Sequence, residues 1–208
     1  MEVEQRVAII VHAGAGWVMW VLIGLSVIAI SIILERAVGL MASRDDIRNM
    51  KEDLLAYLSQ GDPVGAIERL ETSSSIEARV LIAGLGCAEK GAAAAEERMA
   101  STSQFAKLSM EKNLSFLATV GSNAPFVGLL GTVIGIIRAF QALDAGNGQV
   151  SSRLMAEVGE ALSATVMGLL IALPTIAFHN LFQRIIGARL ARADALGHEV
   201  LAYMKTER

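Results

Sequence analysis

Residues 124–135 read APFVGLLGTVIG, and residues 159–174 read GEALSATVMGLLIALP. Both stretches are apolar and rich in small residues, and each carries a threonine, Thr132 in the first and Thr165 in the second. An acidic side chain, Glu160, lies at the start of the second stretch. A carboxylate within a membrane is costly and usually faces a cavity or a partner. This pattern indicates a membrane protein that handles ions.

The composition of the 208-residue chain also favours a membrane protein. Apolar residues make up 53% and charged residues 19%, with a mean hydropathy of +0.50, whereas soluble domains carry about 25% charged residues. The net charge of −3 and the lack of a basic stripe with interleaved aromatics speak against nucleic-acid binding. A single cysteine, Cys87, excludes an intrachain disulfide and a CxxC metal site. His12 and His198 have no paired ligands in sequence, so neither a metal nor another cofactor is predicted.

Three segments are apolar enough to cross a bilayer. Residues 17–34 carry no charge and approach the roughly 20 residues that a spanning helix needs. The acidic residues ahead of this run do not resemble the basic start of a signal peptide, so we expect a retained span. The second and third spans are predicted within residues 113–140 and 157–180, joined by a polar turn.

The distribution of basic residues predicts the orientation. Lysine and arginine are more frequent on the cytoplasmic side of membrane proteins, and here they follow span one, precede span two and follow span three. The sequence thus predicts a periplasmic N-terminus and a cytoplasmic C-terminus. The predicted segments are a periplasmic segment 1–16, transmembrane helix 17–35, a cytoplasmic helical region 36–112, transmembrane helix 113–140, a periplasmic loop 141–156, transmembrane helix 157–180 and a cytoplasmic C-terminal helix 181–208.

The region between the first two spans has helical periodicity. Asp62 and Pro63 predict a helix start, with Asp62 as the N-cap and a short helix over 63–71. The serines at 73–75 predict a further cap. From Glu77 to Phe140 the only proline is Pro125, so the sequence predicts one very long helix there. The apolar residues after position 180 predict an amphipathic helix that packs on a partner.

Glycines in the second span predict close helix packing, because small residues let neighbouring backbones approach in lipid. The candidate packing residues are Gly128, Gly131, Gly135, Gly168, Pro125 and Pro174. The two prolines are interpreted as structural.

With these motifs the chain resembles the MotA/TolQ/ExbB proton channel family, and most of all its three-span ExbB/TolQ branch. The resemblance rests on residues 124–133, on residues 160–165 with Gly168 and Pro174, on the order of the spans, and on the Glu35-Arg36 pair that ends span one. It implies an all-α membrane protein with three transmembrane helices, two of them extended into a cytoplasmic helical bundle, assembled as a cyclic homopentamer. It also implies a single-span ExbD/TolR-like partner inside the pore, carrying a membrane aspartate. By resemblance, Glu160, Thr132 and Thr165 form the ion pathway.

The residues alone leave alternatives open. Glu160 could instead be an interfacial acid stabilised by the helix dipole, and Thr132 and Thr165 could bond to carbonyls of their own helices. Glu160 and Thr165 are five residues apart, which is about 140° around the helix. Only one of the two side chains can therefore point at the pore axis, and the other would face the boundary between subunits. Glu157 is interpreted as interfacial, and His179 as an interfacial, hydrogen-bonded histidine.

The sequence therefore predicts a non-enzymatic inner-membrane proton channel and motor subunit. With its ExbD/TolR-like partner it would use the proton motive force to power an envelope process through a TonB-like or other downstream protein, with TonB-dependent import preferred. The alternatives are a TolQ-like Tol-Pal subunit, a gliding-motility motor subunit and a non-conducting three-span scaffold. An intramembrane hydrolase is disfavoured, because no serine or cysteine in the spans has a histidine nearby. Protons are mildly favoured over sodium, which prefers several oxygen ligands. Arg138 is expected to affect entry to the pore.

Overall fold

A computed structural model describes residues 16–42, 47–145 and 152–206. All regular structure in these ranges is helical, as the sequence predicts. The helices are α1 (Gly16–Ala42), α2 (Ile47–Ser59), α3 (Pro63–Glu71), α4 (Ile76–Leu85), α5 (Ala92–Glu111), α6 (Leu114–Ala145) and α7 (Ser152–Thr206), with a 3₁₀ turn at Ala88–Lys90. The chain forms two compact units. The first comprises residues 1–34 and 113–180, and the second comprises residues 35–112 and 181–208.

Three helices are long and apolar enough to cross a membrane. They include Gly16–Met41 in α1, Leu114–Asp144 in α6 and Leu154–Lys205 in α7. Each of these helices overlaps one of the three predicted spans. The chain is therefore a multi-pass membrane protein. The predicted N-terminal segment 1–16 lies outside the described residues except for Gly16.

The helices around the third span are longer than the sequence pattern indicates. α6 continues to Ala145 and α7 begins at Ser152, so both extend into the predicted loop over 141–156. α7 then runs without interruption past Asn180 to Thr206. The residues after Asn180 are largely strong helix formers such as alanine, leucine and arginine, and no proline follows to stop the helix.

The prediction of one very long helix from Glu77 to Phe140 is wrong. α4 ends at Leu85, and the 3₁₀ turn and Gly91, with φ of 95°, separate it from α5. A second break lies at Asn113, whose φ of 64° is left-handed. Glycine adopts positive φ without a steric cost, and asparagine tolerates it better than most residues. Two short breaks, each with one positive φ angle, therefore divide a segment whose average helix propensity is high.

The second unit contains the two predicted helix starts. The Asp62 carboxylate accepts a hydrogen bond from the Gly65 backbone N–H at 2.9 Å, with Pro63 in the first turn of α3. The Ser75 hydroxyl oxygen accepts from the Ala78 N–H at 3.2 Å and caps α4. Both caps satisfy N–H groups that have no partner within the helix.

The apolar core of the second unit draws on both of its chain segments. Its buried members are Met50, Leu54, Leu58, Ala66, Leu70, Ala78, Leu81, Leu85, Leu196 and Val200. Leu196 and Val200 belong to α7, so the apolar face predicted to pack on a partner packs at least partly within this chain. Arg189, also in α7, is buried and donates a hydrogen bond to the Leu40 carbonyl oxygen near the end of α1.

Candidate functional site

Helices α6 and α7 approach each other closely within the first unit. A Cβ atom built on Gly128 would lie 2.7 Å from the carbonyl oxygen of Ala164, and one built on Gly168 would lie 2.6 Å from that of Ala124. Because carbonyl oxygens are part of the backbone, they cannot move aside as a flexible side chain can. Gly128 and Gly168 therefore allow a backbone-to-backbone contact that alanine would obstruct.

The contact continues toward the end of α6. A Cβ on Gly131 would lie 2.6 Å from the Ala164 Cβ, and one on Gly135 would lie 2.4 Å from the Ala161 Cβ. Positions rise along α6 as their contacts fall along α7, so the two helices are antiparallel. We call the contact formed by Gly128, Gly131 and Gly135 of α6 with Ala161, Ala164 and Gly168 of α7 the glycine seam. The structure thus places all four glycines that were predicted for helix packing at one interface.

The two candidate prolines lie inside continuous helices. Pro125 is within α6 and Pro174 is within α7, and neither ends its helix. Beside Pro174, the buried Thr175 hydroxyl donates to the Ile171 carbonyl oxygen at 2.6 Å. Both prolines are thus accommodated within spans, where neighbouring groups can compensate for the lost backbone hydrogen bond.

The structure brings Thr132 and Thr165 together across the glycine seam. Their hydroxyl oxygens are 2.9 Å apart, and both side chains are half-buried. Thr132 also lies 2.8 Å from the Leu129 carbonyl oxygen in its own helix, whereas Thr165 lies 3.2 Å from the Gly128 carbonyl oxygen in the opposite helix. Thr132 also lies 3.4 Å from the Gly128 carbonyl oxygen of its own helix. The own-helix alternative therefore describes both carbonyl contacts of Thr132, while Thr165 bonds across the seam.

This hydroxyl pair has two complete hydrogen-bond arrangements. Each hydroxyl has one hydrogen to donate and two lone pairs to accept with. In one arrangement Thr165 donates to Thr132, which donates to the Leu129 or Gly128 carbonyl oxygen of its own helix. In the other, Thr132 donates to Thr165, which donates to the Gly128 carbonyl oxygen. The pair can therefore reverse its polarity by rotating two hydroxyl groups, without moving either helix.

Glu160 is on another side of α7. It is exposed in the single chain, and a Cβ built on Gly16 would lie 3.4 Å from its Oε1 atom, which places the carboxylate beside the start of α1. Within residues 16–42, 47–145 and 152–206 Glu160 forms no hydrogen bond or ion pair, and the structure does not bond it to Thr132 or Thr165. This separation agrees with the angle of about 140° between positions 160 and 165.

The seam is flanked by polar contacts at both ends. At one end Arg138 of α6 pairs with Glu157 of α7, with 3.4 Å between Nη2 and Oε1. At the other end the His179 ring Nδ1 lies 3.0 Å from the Leu114 carbonyl oxygen, to which it can donate. The sequence pattern indicated a hydrogen-bonded histidine. It did not indicate the Arg138–Glu157 pair, because the roles of Arg138 and Glu157 were each inferred from their own helix. The missed signal is their opposite sign at the facing ends of two antiparallel spans.

The chemistry open to this site is proton exchange and hydrogen bonding. In the part of the chain that the structure describes, no group of three or more His, Cys, Asp or Glu side chains could hold a metal ion. On and around the seam, the described parts of α6 and α7 carry an exposed carboxylate, a reversible hydroxyl pair and a half-buried ion pair.

Comparison with known proteins places the chain in a family. The model of the MotA/TolQ/ExbB proton channel family matches residues 72–195, which include the whole glycine seam. The biopolymer transport protein ExbB-like 3 of Synechocystis is 33% identical over 169 residues, which cover 79% of this chain and 79% of that protein.

Two shorter matches come from the same branch. An ExbB-like 2 biopolymer transport protein of Helicobacter pylori is 42% identical over 94 residues, covering 45% of this chain and 63% of that relative. The Tol-Pal system protein TolQ of Pseudomonas aeruginosa is 39% identical over 89 residues, covering 41% of this chain and 38% of the relative. The chain thus spans less than two thirds of these two proteins. By its family match and its Synechocystis relative, this chain belongs to the MotA/TolQ/ExbB proton channel family, in the ExbB/TolQ branch.

Proposed function

We propose that this chain is the ion-conducting subunit of an inner-membrane motor that converts the proton motive force into work on the cell envelope. The observation that carries the proposal is the hydrogen bond between the Thr132 and Thr165 hydroxyls, which joins the spanning helices α6 and α7. Helix α7 also bears Glu160. A carboxylate such as that of Glu160 can accept and release a proton, and the hydroxyl pair can donate and accept hydrogen bonds.

The position of Glu160 supports a lumen at this face of α7. An ionisable side chain within a spanning segment rarely faces lipid and usually faces a cavity or a partner. Glu160 lies at the start of the apolar stretch 159–174 of α7. Glu160 and Ser163 are both exposed on the single chain. We infer that further copies of the chain enclose this face and that water or a partner covers it.

The assembly we propose is a homopentamer around an ExbD/TolR-like single-span partner with a membrane aspartate. Helices α6 and α7 would line the pore, the N-terminus would be periplasmic, and the second unit and the C-terminus would be cytoplasmic. Native mass spectrometry of the complex purified from membranes tests the copy numbers. Pulldown of the partner through a tag on this chain tests the pairing.

The energy available suits such a machine. One proton that moves down a potential of 100 mV releases about 2.3 kcal/mol. A helix interface with two arrangements that differ by a few kcal/mol would respond to a few such steps. We propose that proton transfer between Glu160 and the partner's aspartate shifts the partner relative to the ring.

TonB-dependent import is the process we assign to the motor. The test is deletion of the gene in its own host, with uptake of an iron complex through the outer membrane as the readout. We expect uptake to fall in the deletion strain and to return with the wild-type gene. Intact uptake with a leaky outer membrane would indicate the Tol-Pal role, and lost surface movement would indicate a gliding motor.

The hydroxyl pair yields a specific prediction. Thr165→Val removes the hydroxyl and closely preserves the side-chain volume, so Thr132 keeps only its contacts with the Gly128 and Leu129 carbonyl oxygens of its own helix. We expect proton flux through the reconstituted complex to fall about tenfold. The loss of a general acid or base usually has a larger effect, roughly 100-fold to 10,000-fold. Flux is measured as dye quenching in liposomes under an imposed potential.

Thr165→Ser is the matched control, since it keeps a hydroxyl at the same position. It should retain most of the wild-type flux. If valine and serine at position 165 conduct equally well, the hydroxyl pair serves helix packing alone.

A further inference from the structure

A half-buried ion pair joins the two spanning helices just beyond the glycine seam. Arg138 Nη2 and Glu157 Oε1 are 3.4 Å apart, and only 25% of the Arg138 side chain and 12% of the Glu157 side chain are exposed. A Cβ built on Gly135 would lie 3.2 Å from the Glu157 carbonyl oxygen, so the pair adjoins the closest approach of α6 and α7. At this position the helices are held by charge as well as by packing.

The two oxygens of the Glu157 carboxylate differ in their surroundings. Oε1 faces Arg138, while Oε2 is buried and has no hydrogen-bond partner among the described residues. An unsatisfied buried oxygen is destabilising, and more so when it carries charge. The separation of 3.4 Å also exceeds the 2.7–2.9 Å typical of a strong charge-assisted hydrogen bond. The ionised carboxylate is thus only partly compensated, and Oε2 is an available acceptor.

Glu157 is also a neighbour of Glu160. The two residues are three positions apart on α7. The Cβ atoms of residues at this spacing lie about 5–6 Å apart on one helix face. Glu157 is mostly buried beside Arg138, whereas Glu160 is exposed. The two carboxylates therefore form a short series from the ion pair to the exposed face of α7.

We propose that Glu157, positioned by Arg138, is the entry acceptor that passes protons to Glu160. This inference rests on the proposed function. A hydronium ion gives its proton to the Glu157 carboxylate, whose side chain is 12% exposed, and leaves as water. The neutral carboxyl group then releases Arg138. The proton then moves to the Glu160 carboxylate, and the Glu157 carboxylate that remains pairs with Arg138 again. Each cycle opens and closes the polar contact between α6 and α7 once.

The test is proton flux in liposomes that contain the full chain and its single-span partner. Glu157→Gln keeps the shape and a hydrogen bond to Arg138 but cannot carry a proton in this way. We expect its flux to fall at least about tenfold. The loss of a general acid or base usually lowers a rate by roughly 100-fold to 10,000-fold. Its thermal unfolding temperature and pentamer mass should stay close to those of the wild type. Glu157→Asp retains a carboxylate and should recover most of the flux.

A second variant guards against an unpaired arginine that harms folding. In the double variant Arg138→Gln with Glu157→Gln, both partners are neutral and can still hydrogen-bond to each other. We expect a folded complex with low flux. Wild-type flux from a folded Glu157→Gln or double variant would overturn the inference.

The failure of this inference and of the proposed function are distinguishable. If flux survives in Glu157→Gln but disappears in Glu160→Gln, only the entry role of Glu157 is overturned. If the wild-type complex itself shows no partner-dependent flux, the proposed function fails first. A loss of flux in Glu157→Asp equal to that in Glu157→Gln would also contradict a proton-acceptor role and would indicate a purely structural ion pair.

Discussion

Glu160→Gln is expected to abolish proton flux through the complex, with a fall of about 100-fold or more, as for the removal of an essential proton carrier. Glutamine is nearly isosteric with glutamate, but its amide group does not take up or release a proton near neutral pH. Because Glu160 has no hydrogen bond or ion pair within the described ranges, its replacement leaves no buried charge unpaired. We therefore expect the variant to fold and assemble like the wild type.

The measurement is dye-detected proton flux under an imposed potential, with assembly checked by native mass spectrometry on the same preparation. Glu97→Gln is the matched control, since Glu97 is an exposed glutamate of α5 in the second unit. It should conduct normally. Undiminished flux in a well-assembled Glu160→Gln complex would remove Glu160 from the pathway and leave the partner's carboxylate as the carrier.

Gly168→Ala is expected to destabilise the protein by about 1–3 kcal/mol, the usual cost of extra volume in a packed interface. The added Cβ would lie 2.6 Å from the Ala124 carbonyl oxygen and 3.2 Å from the Gly128 Cα atom, so the two backbones must separate. That separation would also lengthen the contact of 2.9 Å between Thr132 and Thr165. We expect flux to fall together with stability.

Gly159→Ala, on the same helix, provides the control. Nothing lies within 4 Å of a Cβ built there. Since alanine favours a helix over glycine by roughly 0.5–1 kcal/mol, this substitution should be neutral or slightly stabilising. The free energy of unfolding in mild detergent measures both effects. Equal stability of the two variants would mean that the glycine seam tolerates a wider helix separation.

Much of the fold is predictable because it depends on local signals. A run of eighteen residues without charge can only be stable across a bilayer or in a large core, and so residues 17–34 identify a span. Asp62 with Pro63, and Ser75, mark helix starts through the hydrogen bonds that they make with the first turn. These features need no knowledge of distant contacts.

The breaks in the long helical region were not predictable in the same way. Helix propensity is summed over many residues, whereas the breaks at Gly91 and Asn113 each involve a single positive φ angle. Asparagine at 113 permits such an angle but does not require it. At Asn113 both a continued helix and a left-handed residue are locally acceptable, and contacts with the rest of the fold decide between them.

The candidate site is predictable in its residues but not in its contacts. The carboxylate of Glu160 is unusual in an apolar span, and the resemblance to the family selects Thr132 and Thr165 among the hydroxyls of the spans. Which of them meet depends on the register of α6 against α7, and the close approach at Gly128 and Gly168 determines that register. For the same reason the pairing of Arg138 with Glu157 emerges only once the two helices are placed side by side.

The most direct test of the proposed function is proton flux in liposomes that hold the wild-type chain with and without its single-span ExbD/TolR-like partner. The buffer should be free of sodium, so that any flux reports protons. We expect flux under an imposed potential that requires both proteins. A folded, fully assembled complex that conducts no more than empty liposomes would contradict the channel and indicate a non-conducting scaffold.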